Sequence, residues 1–409
     1  MLLCAFTASA ADWPSWRGPT GMGISDEKDL PLNWGGKDDE NILWKQPLPG
    51  RDPKNKQDNN QSSPIVQGGR VFVTVSYWPA GVDQKEYPEH HVACFKADDG
   101  APLWDVKVQP GPWKLSDLRG GYTAPTPAAD AERVYVLFGS SVLAALDHDG
   151  KLVWRKDITP YRFDVAVGCS PIVYRDMVLL QCDQVEKHSR LLAFDCKTGD
   201  LQWEKMRPDA GFTHSTPVLA EIGGRRQLLV AASNQLQGVD PADGKVIWSC
   251  EAAGDTVSPV YAGGVVYIDS GRGGRGVAVD PTGKGDVTKT HLKWKKDVVP
   301  EGFSSPVAVG EDLYRLHSPE TLRCWKLDSG DEAFTARLPG VSTACSPVAT
   351  ADGRIYFASA GKSYVIQVGP KINILAKNDL GDGCAASPAV ADSRIYLKGR
   401  QYLYCIGKK

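Results

Sequence analysis

The chain has 409 residues, and its 47 Lys and Arg nearly balance its 49 Asp and Glu. A net charge of −2 provides no global field that would attract nucleic acid or an acidic membrane surface. The content of 42 Gly, 28 Pro and 12 Trp is typical of many short strands joined by tight turns, and no apolar stretch approaches the length of a membrane span. We therefore expect an all-β protein with no transmembrane segment and no nucleic-acid partner.

The first ten residues, MLLCAFTASA, are similar to the end of a secretory signal peptide. An apolar stretch is followed by Ala8-Ser9-Ala10, which fits an A-x-A cleavage site. The stretch is short and lacks a basic start, so either the true start codon lies upstream or the similarity is accidental. The pattern of small residues favours the first alternative. We interpret residues 1–10 as a truncated signal peptide and expect a periplasmic or secreted protein.

A Ser-Pro or Thr-Pro pair recurs along the chain, and a short apolar stretch follows each pair. After a first gap of 63 residues, the spacings between pairs are 44, 46, 42, 47, 41 and 41. A period of roughly 40–45 residues indicates propeller blades of four strands. The pairs begin at Ser63, Thr126, Ser170, Thr216, Ser258, Ser305, Ser346 and Ser387.

Each repeat continues with the signals of three further strands. Alternating β-branched and aromatic residues, as in RVFVTVS at 70–76, predict the second strand. The third strand ends in an Asp and a Gly-containing turn, as in LLAFDCKTGD at 191–200. The fourth strand carries an aromatic residue that we expect to fill the wedge between neighbouring sheets rather than bind a cofactor. These blade-docking residues are Trp104, Trp154, Trp203, Trp248, Trp294 and Phe334.

The eighth repeat stops after its third strand, at Tyr402-Leu403-Tyr404-Cys405. Near the N-terminus, Asn41-Ile42-Leu43-Trp44-Lys45 repeats the fourth-strand pattern, with Trp44 as the docking residue. A ring closed by strands from both ends leaves no unpaired edge between the first and last blades. The sequence therefore predicts an eight-bladed β-propeller over residues 42–409, closed by a strand at 42–48 and preceded by an N-terminal extension at 11–41.

The ten cysteines show neither a CxxC motif nor regular pairing. Cys94, Cys324 and Cys405 occupy the repeat position at which another repeat has Ala, which predicts a small buried side chain. A disulfide between Cys345 and Cys384 is a minority alternative to buried free thiols.

The segment Asp195-Cys196-Lys197-Thr198-Gly199-Asp200-Leu201-Gln202-Trp203 resembles the tryptophan-docking repeat of the quinoprotein alcohol dehydrogenase-like (PQQ-like) propellers. The same repeat is shared by non-enzymatic BamB-like outer-membrane assembly lipoproteins and by many secreted propellers. The resemblance covers residues of about 42–409. The segment WPSWRGP at 13–19 is similar to the opening of propellers of this family found in planctomycete-type bacteria. Such a repeat is specific for fold and weak for chemistry.

Membership among the quinone enzymes would imply adjacent cysteines beneath the cofactor, Ca²⁺ ligands and a catalytic Asp at the channel mouth. No two cysteines are adjacent in the sequence, and no loop has the density of carboxylates that Ca²⁺ requires. The chain also lacks GxSxG and HExxH. We therefore predict no catalytic residue, no metal ligand and no cofactor. An oxidoreductase that binds pyrroloquinoline quinone (PQQ) and Ca²⁺ in the channel is the alternative.

In a propeller, the loops before the first strands converge at one mouth of the central channel, where ligands often bind. An alternative is that these residues are ordinary solvated side chains around a water-filled channel. The segment Gly271–Gly276 is a weak candidate phosphate cradle, because it is expected in a β-hairpin with no helix behind it. The predicted rim of the mouth consists of Asn60, Arg119, Tyr122, Asp164, Phe212, His214, Asp255 and Phe303.

Two insertions break the blade period, at Tyr77–His91 and Pro110–Leu118. Long loops in a compact repeat are commonly functional or flexible. The adjacent His90 and His91 would face opposite sides of a strand, which argues against joint metal binding. The leading hypothesis is a non-enzymatic scaffold, with a monomer favoured, that presents the mouth and the Tyr77–His91 loop to a protein or carbohydrate partner in the cell envelope. A domain that assembles with outer-membrane machinery is a further alternative.

Overall fold

The computed structural model describes residues 12–158, 167–184, 187–383 and 386–409. All regular secondary structure in these ranges is β-strand, arranged as eight small sheets, which confirms the predicted all-β, eight-bladed propeller. Nothing in these ranges forms a helix that could cross a membrane.

Blades 1 to 4 each contain four antiparallel strands in chain order, from the channel to the outer edge. Blade 1 is Ile65–Gln67, Arg70–Trp78, Glu89–Lys96 and Pro102–Val108; blade 2 is Ala128–Ala129, Arg133–Phe138, Val142–Asp147 and Leu152–Asp157; blade 3 is Ile172–Tyr174, Met177–Cys182, Arg190–Asp195 and Leu201–Met206; blade 4 is Val218–Ile222, Arg225–Ala232, Gln235–Val239 and Val246–Glu251.

Blades 5 to 8 follow the same plan, except that the outer strand of blade 8 comes from the beginning of the chain. Blade 5 is Val260–Ala262, Val265–Asp269, Gly274–Val279 and Leu292–Val299; blade 6 is Val307–Val309, Asp312–His317, Thr321–Lys326 and Glu332–Arg337; blade 7 is Val348–Thr350, Arg354–Phe357, Lys362–Gln367 and Ile374–Asp379; blade 8 is Ala389–Ala391, Arg394–Lys398, Tyr402–Ile406 and Ile42–Pro47.

Ring closure occurs as the sequence predicts. The strand Ile42–Pro47 pairs antiparallel with Tyr402–Ile406, with Lys45 opposite Tyr404. The strand ends one residue earlier than the predicted boundary at 48.

Three short strands add to this plan. Lys56–Gln57 extends the antiparallel pairing of Arg70–Trp78, and Ile24–Ser25 pairs parallel with Val348–Thr350. Gly285–Asp286, which precedes the outer strand of blade 5, pairs parallel with Val246–Glu251 and so covers the outer edge of blade 4. The outer edge of a blade in this protein can therefore accept a further strand.

The Ser/Thr residues of the eight Pro-containing pairs form one closed ring of hydrogen bonds. The backbone N–H of each residue donates to the side-chain hydroxyl of the equivalent residue in the next blade, at 2.9–3.0 Å. The ring runs from Ser63 through Thr126, Ser170, Thr216, Ser258, Ser305, Ser346 and Ser387 back to Ser63. Because buried backbone N–H groups need acceptors, this bond explains why a hydroxyl recurs in every repeat.

Outer-strand tryptophans link neighbouring blades at the periphery. In four cases, the indole N–H donates at 2.8–3.0 Å to a turn carbonyl of the next blade: Trp44 to Ala97, Trp104 to His148, Trp154 to Cys196 and Trp294 to Leu327. The ring also covers a turn glycine of that blade; a Cβ added to Gly100 would lie 2.6 Å from Trp44. Gly100 has φ +74°, so glycine is favoured both by this backbone conformation and by the lack of room for a Cβ beside the Trp44 ring.

Two of the predicted docking residues depart from this hydrogen-bond pattern. Trp203 covers Gly244 of blade 4, but its indole N–H has no acceptor within the described residues. Trp248 donates instead to Gln227 Oε1 within its own blade, at 2.9 Å. It lies against Gly238, where an added Cβ would be 2.1 Å from the indole nitrogen.

Gly238 explains the orientation of Trp248. In other blades, the residue opposite the docking aromatic on the third strand is small but has a Cβ, as with Cys94 opposite Trp104 and Cys405 opposite Trp44. Blade 4 has Gly238 at this position, which leaves room for the indole over its own sheet. Cys94 and Cys405 are fully buried free thiols, and Phe334 packs against a core shared with blade 7.

The N-terminal extension crosses one end of the channel from blade to blade, and we call residues 13–25 the strap. Its hydrogen bonds reach five blades. Trp13 exchanges backbone hydrogen bonds with Val66 of blade 1, and the Pro14 carbonyl accepts from the Ala129 N–H of blade 2. Met22 Sδ accepts from the Tyr261 N–H of blade 5, Arg17 donates to the Pro306 carbonyl before blade 6, and the Gly23 carbonyl accepts from the Ala349 N–H of blade 7. The strap therefore lies across the ring on the side of the prolines.

Candidate functional site

The channel contains a cavity of about 350 Å³. Residues of the loops before the first strands line one end of the cavity, which we call the mouth. The hydroxyl ring lines its middle, and Trp16 of the strap lines the opposite end, which we call the floor. The lining residues are Trp16, Gln61, Ser63, Arg119, Gly120, Ala124, Thr126, Gly168, Ser170, His214, Thr216, Thr256, Arg272, Phe303, Ala344, Ser346 and Ser387.

Six residues of the hydroxyl ring line this cavity. Each hydroxyl oxygen already accepts a backbone N–H, and within the described part of the chain none donates its own O–H to a protein acceptor. A hydroxyl that accepts one hydrogen bond still has a proton to donate. The middle of the cavity therefore offers hydrogen-bond donors to water or to a ligand.

Two arginines bring positive charge to the mouth. Arg119 is exposed and pairs with Asp117 at 2.6 Å. Arg272 lies 6.0 Å above the ring of Phe212, and no carboxylate among the described residues comes within ion-pair distance of it. No described residue lining the cavity is an Asp or a Glu. The lining thus includes one arginine, Arg272, without a carboxylate at ion-pair distance, together with hydroxyl donors.

His214 and Phe212 lie together on the linker before blade 4. Their rings meet edge to face, with centroids 4.7 Å apart. Burial and the neighbouring charge of Arg272 lower the pKa of His214 to about 4. The imidazole is therefore neutral near pH 7 and contributes no charge to the mouth.

The fully buried Arg17 lies next to Trp16, the residue at the floor of the cavity. Its guanidinium lies 5.6 Å from the ring of Trp16 and donates to the Met22 carbonyl at 2.7 Å. Burial and the nearby charge of Arg315 lower the pKa of Arg17 to about 9. This arginine ties the strap to the ring and holds Trp16 in place.

Two residues predicted at the rim are instead buried. Tyr122 is 1 % exposed, and its hydroxyl accepts from the Leu115 N–H at 3.0 Å. Asn60 accepts from the Ser76 N–H at 2.7 Å and from the Thr123 hydroxyl at 2.7 Å. These side chains bond Ser76, Thr123 and Leu115 and are not part of the cavity lining.

The other predicted rim residues divide into three groups. Arg119, His214 and Phe303 line the cavity, and the exposed fraction of Phe303 is 44 %. Phe212 is outside this lining and lies beside it, against the ring of His214. Asp255 is half-buried beside the lining, and its backbone carbonyl accepts from the His214 N–H at 2.7 Å. Burial raises the pKa of the Asp255 carboxyl. Asp164 lies outside the described residues.

Sequence reasoning missed Trp16 and Arg272 as cavity residues. Arg272 lies in the hairpin segment Gly271–Gly276, whose glycine pattern indicates at most a weak phosphate cradle and does not predict an arginine in the channel. The aromatic WPSWRGP segment could have indicated that Trp16 is a functional residue. Its position in the channel could not be predicted, because the path of the strap across the ring depends on contacts with distant blades.

The two insertions pack against each other beside the mouth. Trp78 donates to the Glu86 carbonyl at 2.9 Å, and Tyr87 contacts the edge of Tyr122 with centroids 6.2 Å apart. Lys114 of the second insertion lies 5.0 Å from the Tyr87 ring. The Tyr77–His91 loop is therefore anchored at its base.

His90 and His91 face opposite sides of their strand, as the alternation predicts. His90 bonds Ser140 Oγ of blade 2 at 2.9 Å, whereas His91 bonds Asp105 Oδ1 at 2.8 Å. The described residues contain no group of three or more potential ligands that could hold a metal ion.

The cavity does not match what the resemblance to quinone enzymes implies. Its described lining contains no cysteine and no carboxylate, and the sequence has no adjacent cysteines. Carboxylate oxygens are the ligands that Ca²⁺ requires most. The residues present therefore do not fit PQQ with Ca²⁺ as those enzymes hold them.

A family profile described as outer membrane protein assembly factor BamB, of the PQQ_2 repeat type, matches residues 88–336. No curated protein shows a significant sequence match. BamB from Moraxella catarrhalis is 12% identical with a TM-score of 0.61, over 90% of this chain and 98% of that chain. Europium-containing methanol dehydrogenase is 12% identical with a TM-score of 0.70, over 94% and 89% of the two chains.

Quinohemoprotein alcohol dehydrogenase ADHIIG from Pseudomonas putida HK5 is similar at 13% identity and a TM-score of 0.64, over 98% of this chain and 81% of that chain. At these identities the structural similarity shows a common fold. The neighbours include an assembly factor and redox enzymes, so fold similarity alone does not distinguish the two kinds of function.

Proposed function

Since this chain belongs to the PQQ_2 family of BamB-like repeat propellers, we propose that it is a non-enzymatic binding scaffold of the cell envelope, periplasmic or secreted, which receives a protein or carbohydrate partner at the channel mouth. The observation that carries this proposal is the channel cavity, whose described lining combines hydroxyl donors, Arg272 and aromatic surface without carboxylates.

The chemistry of the mouth suits a partner rich in oxygen acceptors. Hydroxyl donors and Arg272 can bond carbonyl, carboxylate or sugar oxygens, while Trp16 and Phe303 provide flat apolar surface. Ligand sites commonly combine apolar walls with a few convergent polar groups. The Tyr77–His91 loop, anchored beside the mouth, supplies a second contact surface for a macromolecular partner.

A photo-crosslinking residue in place of Phe303 tests this proposal in envelope extracts. We expect one crosslinked product, protein or glycan, that mass spectrometry identifies and that is lost with Arg272→Glu. The same crosslinker in place of Leu201, which is exposed on the outer strand of blade 3, is the matched control. Equal labelling from both positions, or none from position 303, would overturn the proposal.

The second candidate function is a PQQ-dependent oxidoreductase, favoured by the structural similarity to methanol and alcohol dehydrogenases. Reconstitution with PQQ and Ca²⁺, followed by dye reduction over alcohols and aldose sugars, separates the two functions. Robust turnover would show that the protein is an enzyme and would overturn the scaffold proposal.

A further inference from the structure

The outer strand of blade 5, Leu292–Val299, differs from the other seven outer strands in length and charge. It has eight residues, whereas the others have six or seven. Lys293, Lys295 and Lys296 lie within it, and Lys284 and Lys289 lie in the segment that leads to it. We call these five lysines and the strand the basic edge.

The basic edge carries more positive than negative charge, since its five lysines face three nearby carboxylates, those of Asp280, Asp286 and Asp297. Lys295 pairs with Asp297 at 3.5 Å, and both side chains are exposed. Among the described residues, none of the other four lysines has a carboxylate within ion-pair distance. Exposed ion pairs of this kind contribute little, so Lys295 is also available to a partner.

This strand ends its sheet, so one row of backbone N–H and C=O groups has no strand partner within the described part of the chain. Val298, at the end of the strand, is 76 % exposed. An open edge is a template for pairing with another chain. Lysines on such an edge also disfavour pairing with a second copy, because like charges would then face each other.

The molecule itself shows that an outer edge can take a further strand. Gly285–Asp286 pairs with Trp248 and Ser249 on the outer edge of blade 4. This added strand belongs to the same blade 5 insertion that carries Lys284 and Lys289. The insertion thus pairs with the outer edge of blade 4 and leaves the outer edge of blade 5 open.

We propose that the basic edge of blade 5 binds an extended acidic segment of a partner protein, which adds to the sheet as a fifth strand. Residues two apart on a strand share a face and lie about 6.6 Å apart. Lys293 lies in the β-bulge of the outer strand and Lys295 lies two residues beyond it, and both are exposed, so acidic side chains of the added strand would meet both ammonium groups. The open backbone groups favour a polypeptide over other polyanions, because only a polypeptide supplies the matching N–H and C=O groups.

The test uses the full chain and a labelled peptide of about ten residues that alternates Glu and Thr. We expect binding that weakens as salt increases, together with slower hydrogen exchange of the amides in Leu292–Val299. A peptide with Lys in place of Glu should not bind. The exchange measurement distinguishes strand addition from loose electrostatic attraction, which would leave the amides unprotected.

The double variant Lys293→Glu, Lys295→Glu should weaken peptide binding on the order of tenfold or more, whereas arginine at both positions should preserve it. Lys205→Glu, an exposed lysine on the outer strand of blade 3, is the matched control and should bind as wild type. Equal weakening by Lys205→Glu, or binding without amide protection, would overturn the proposal. So would a preference for single-stranded DNA or phosphatidylserine vesicles over the acidic peptide.

Discussion

The backbone N–H of Ser387 donates to Ser63 Oγ at 2.9 Å and joins the eighth inner strand to the first. This bond is one of eight equivalent bonds, yet it connects residues from nearly opposite ends of the chain. Each bond satisfies a buried backbone donor, so loss of one hydroxyl affects two blades at once.

Ser63→Ala should lower the free energy of unfolding by about 1–3 kcal/mol, because it leaves the N–H of Ser387 buried without its acceptor. Ser63→Thr should retain most of the stability, since Thr126 and Thr216 fill the same role in the ring. Urea unfolding of the three proteins measures both effects. A Thr variant as unstable as the Ala variant would show that space, not the hydroxyl, is what matters there.

Trp44→Ala should lower the free energy of unfolding by roughly 3–5 kcal/mol, because the indole fills the junction between blades 8 and 1. Trp44→Phe should cost less, since it keeps most of the apolar contact and loses the hydrogen bond to Ala97. Deletion of residues 1–50 should destabilise the whole ring. Thermal unfolding at an unchanged temperature in the deletion variant would contradict the closure by residues 42–47.

Arg315 and Asp269 form a fully buried, bidentate ion pair between blades 6 and 5, at 2.8 and 3.0 Å. Although burial opposes ionisation, the Arg315 guanidinium holds the pKa of Asp269 below its usual range. Arg315→Met should destabilise by about 3–5 kcal/mol, because it leaves a buried carboxylate without its partner. Adding Asp269→Asn should recover part of that loss in chemical denaturation. A double variant less stable than Arg315→Met would refute this origin of the effect.

Acid should destabilise the protein through buried histidines. Burial lowers the pKa of His90 to about 3, whereas the unfolded chain binds this proton below about pH 6.5. The unfolded state then binds more protons, so stability falls as the pH drops from about 6.5 to about 3. His90 alone should contribute about 2–3 kcal/mol of loss between pH 7 and pH 4.5.

His90→Gln tests that contribution by urea unfolding at the two pH values. The variant should be less stable at pH 7, where it loses the stacking on Phe138, but should lose less on acidification. His291→Gln, at a half-buried surface position, is the control. Identical losses on acidification in wild type and His90→Gln would rule out His90 as a source.

The repeat and the ring closure could be predicted because their signals are local and recur. Ser63 and its seven equivalents mark the first strands, and Trp44 restores the pattern that the last repeat lacks. The partner of each hydroxyl could not be predicted from the pattern, because it lies on another blade. The same limit explains Trp248, whose orientation depends on the absence of a Cβ at Gly238.

The candidate site was predicted less well, because position in a loop does not determine side-chain direction. Arg119 and His214 reach the cavity, whereas Tyr122 turns into a cluster with Trp78 and Leu115. The floor at Trp16 depends on the path of the strap, which only contacts with distant blades define.

The pairing of Ile42–Pro47 with Tyr402–Ile406 has a consequence for biosynthesis. The strand that completes blade 8 is made early, and the strands that it needs emerge from the ribosome only after the other seven blades. The nascent chain must therefore carry an unpaired strand and an unfilled Trp44 junction until translation is nearly finished. Contacts this distant in sequence form slowly, and the open ring can aggregate before it closes. The yield of folded protein should therefore depend on how well the open ring is protected from aggregation.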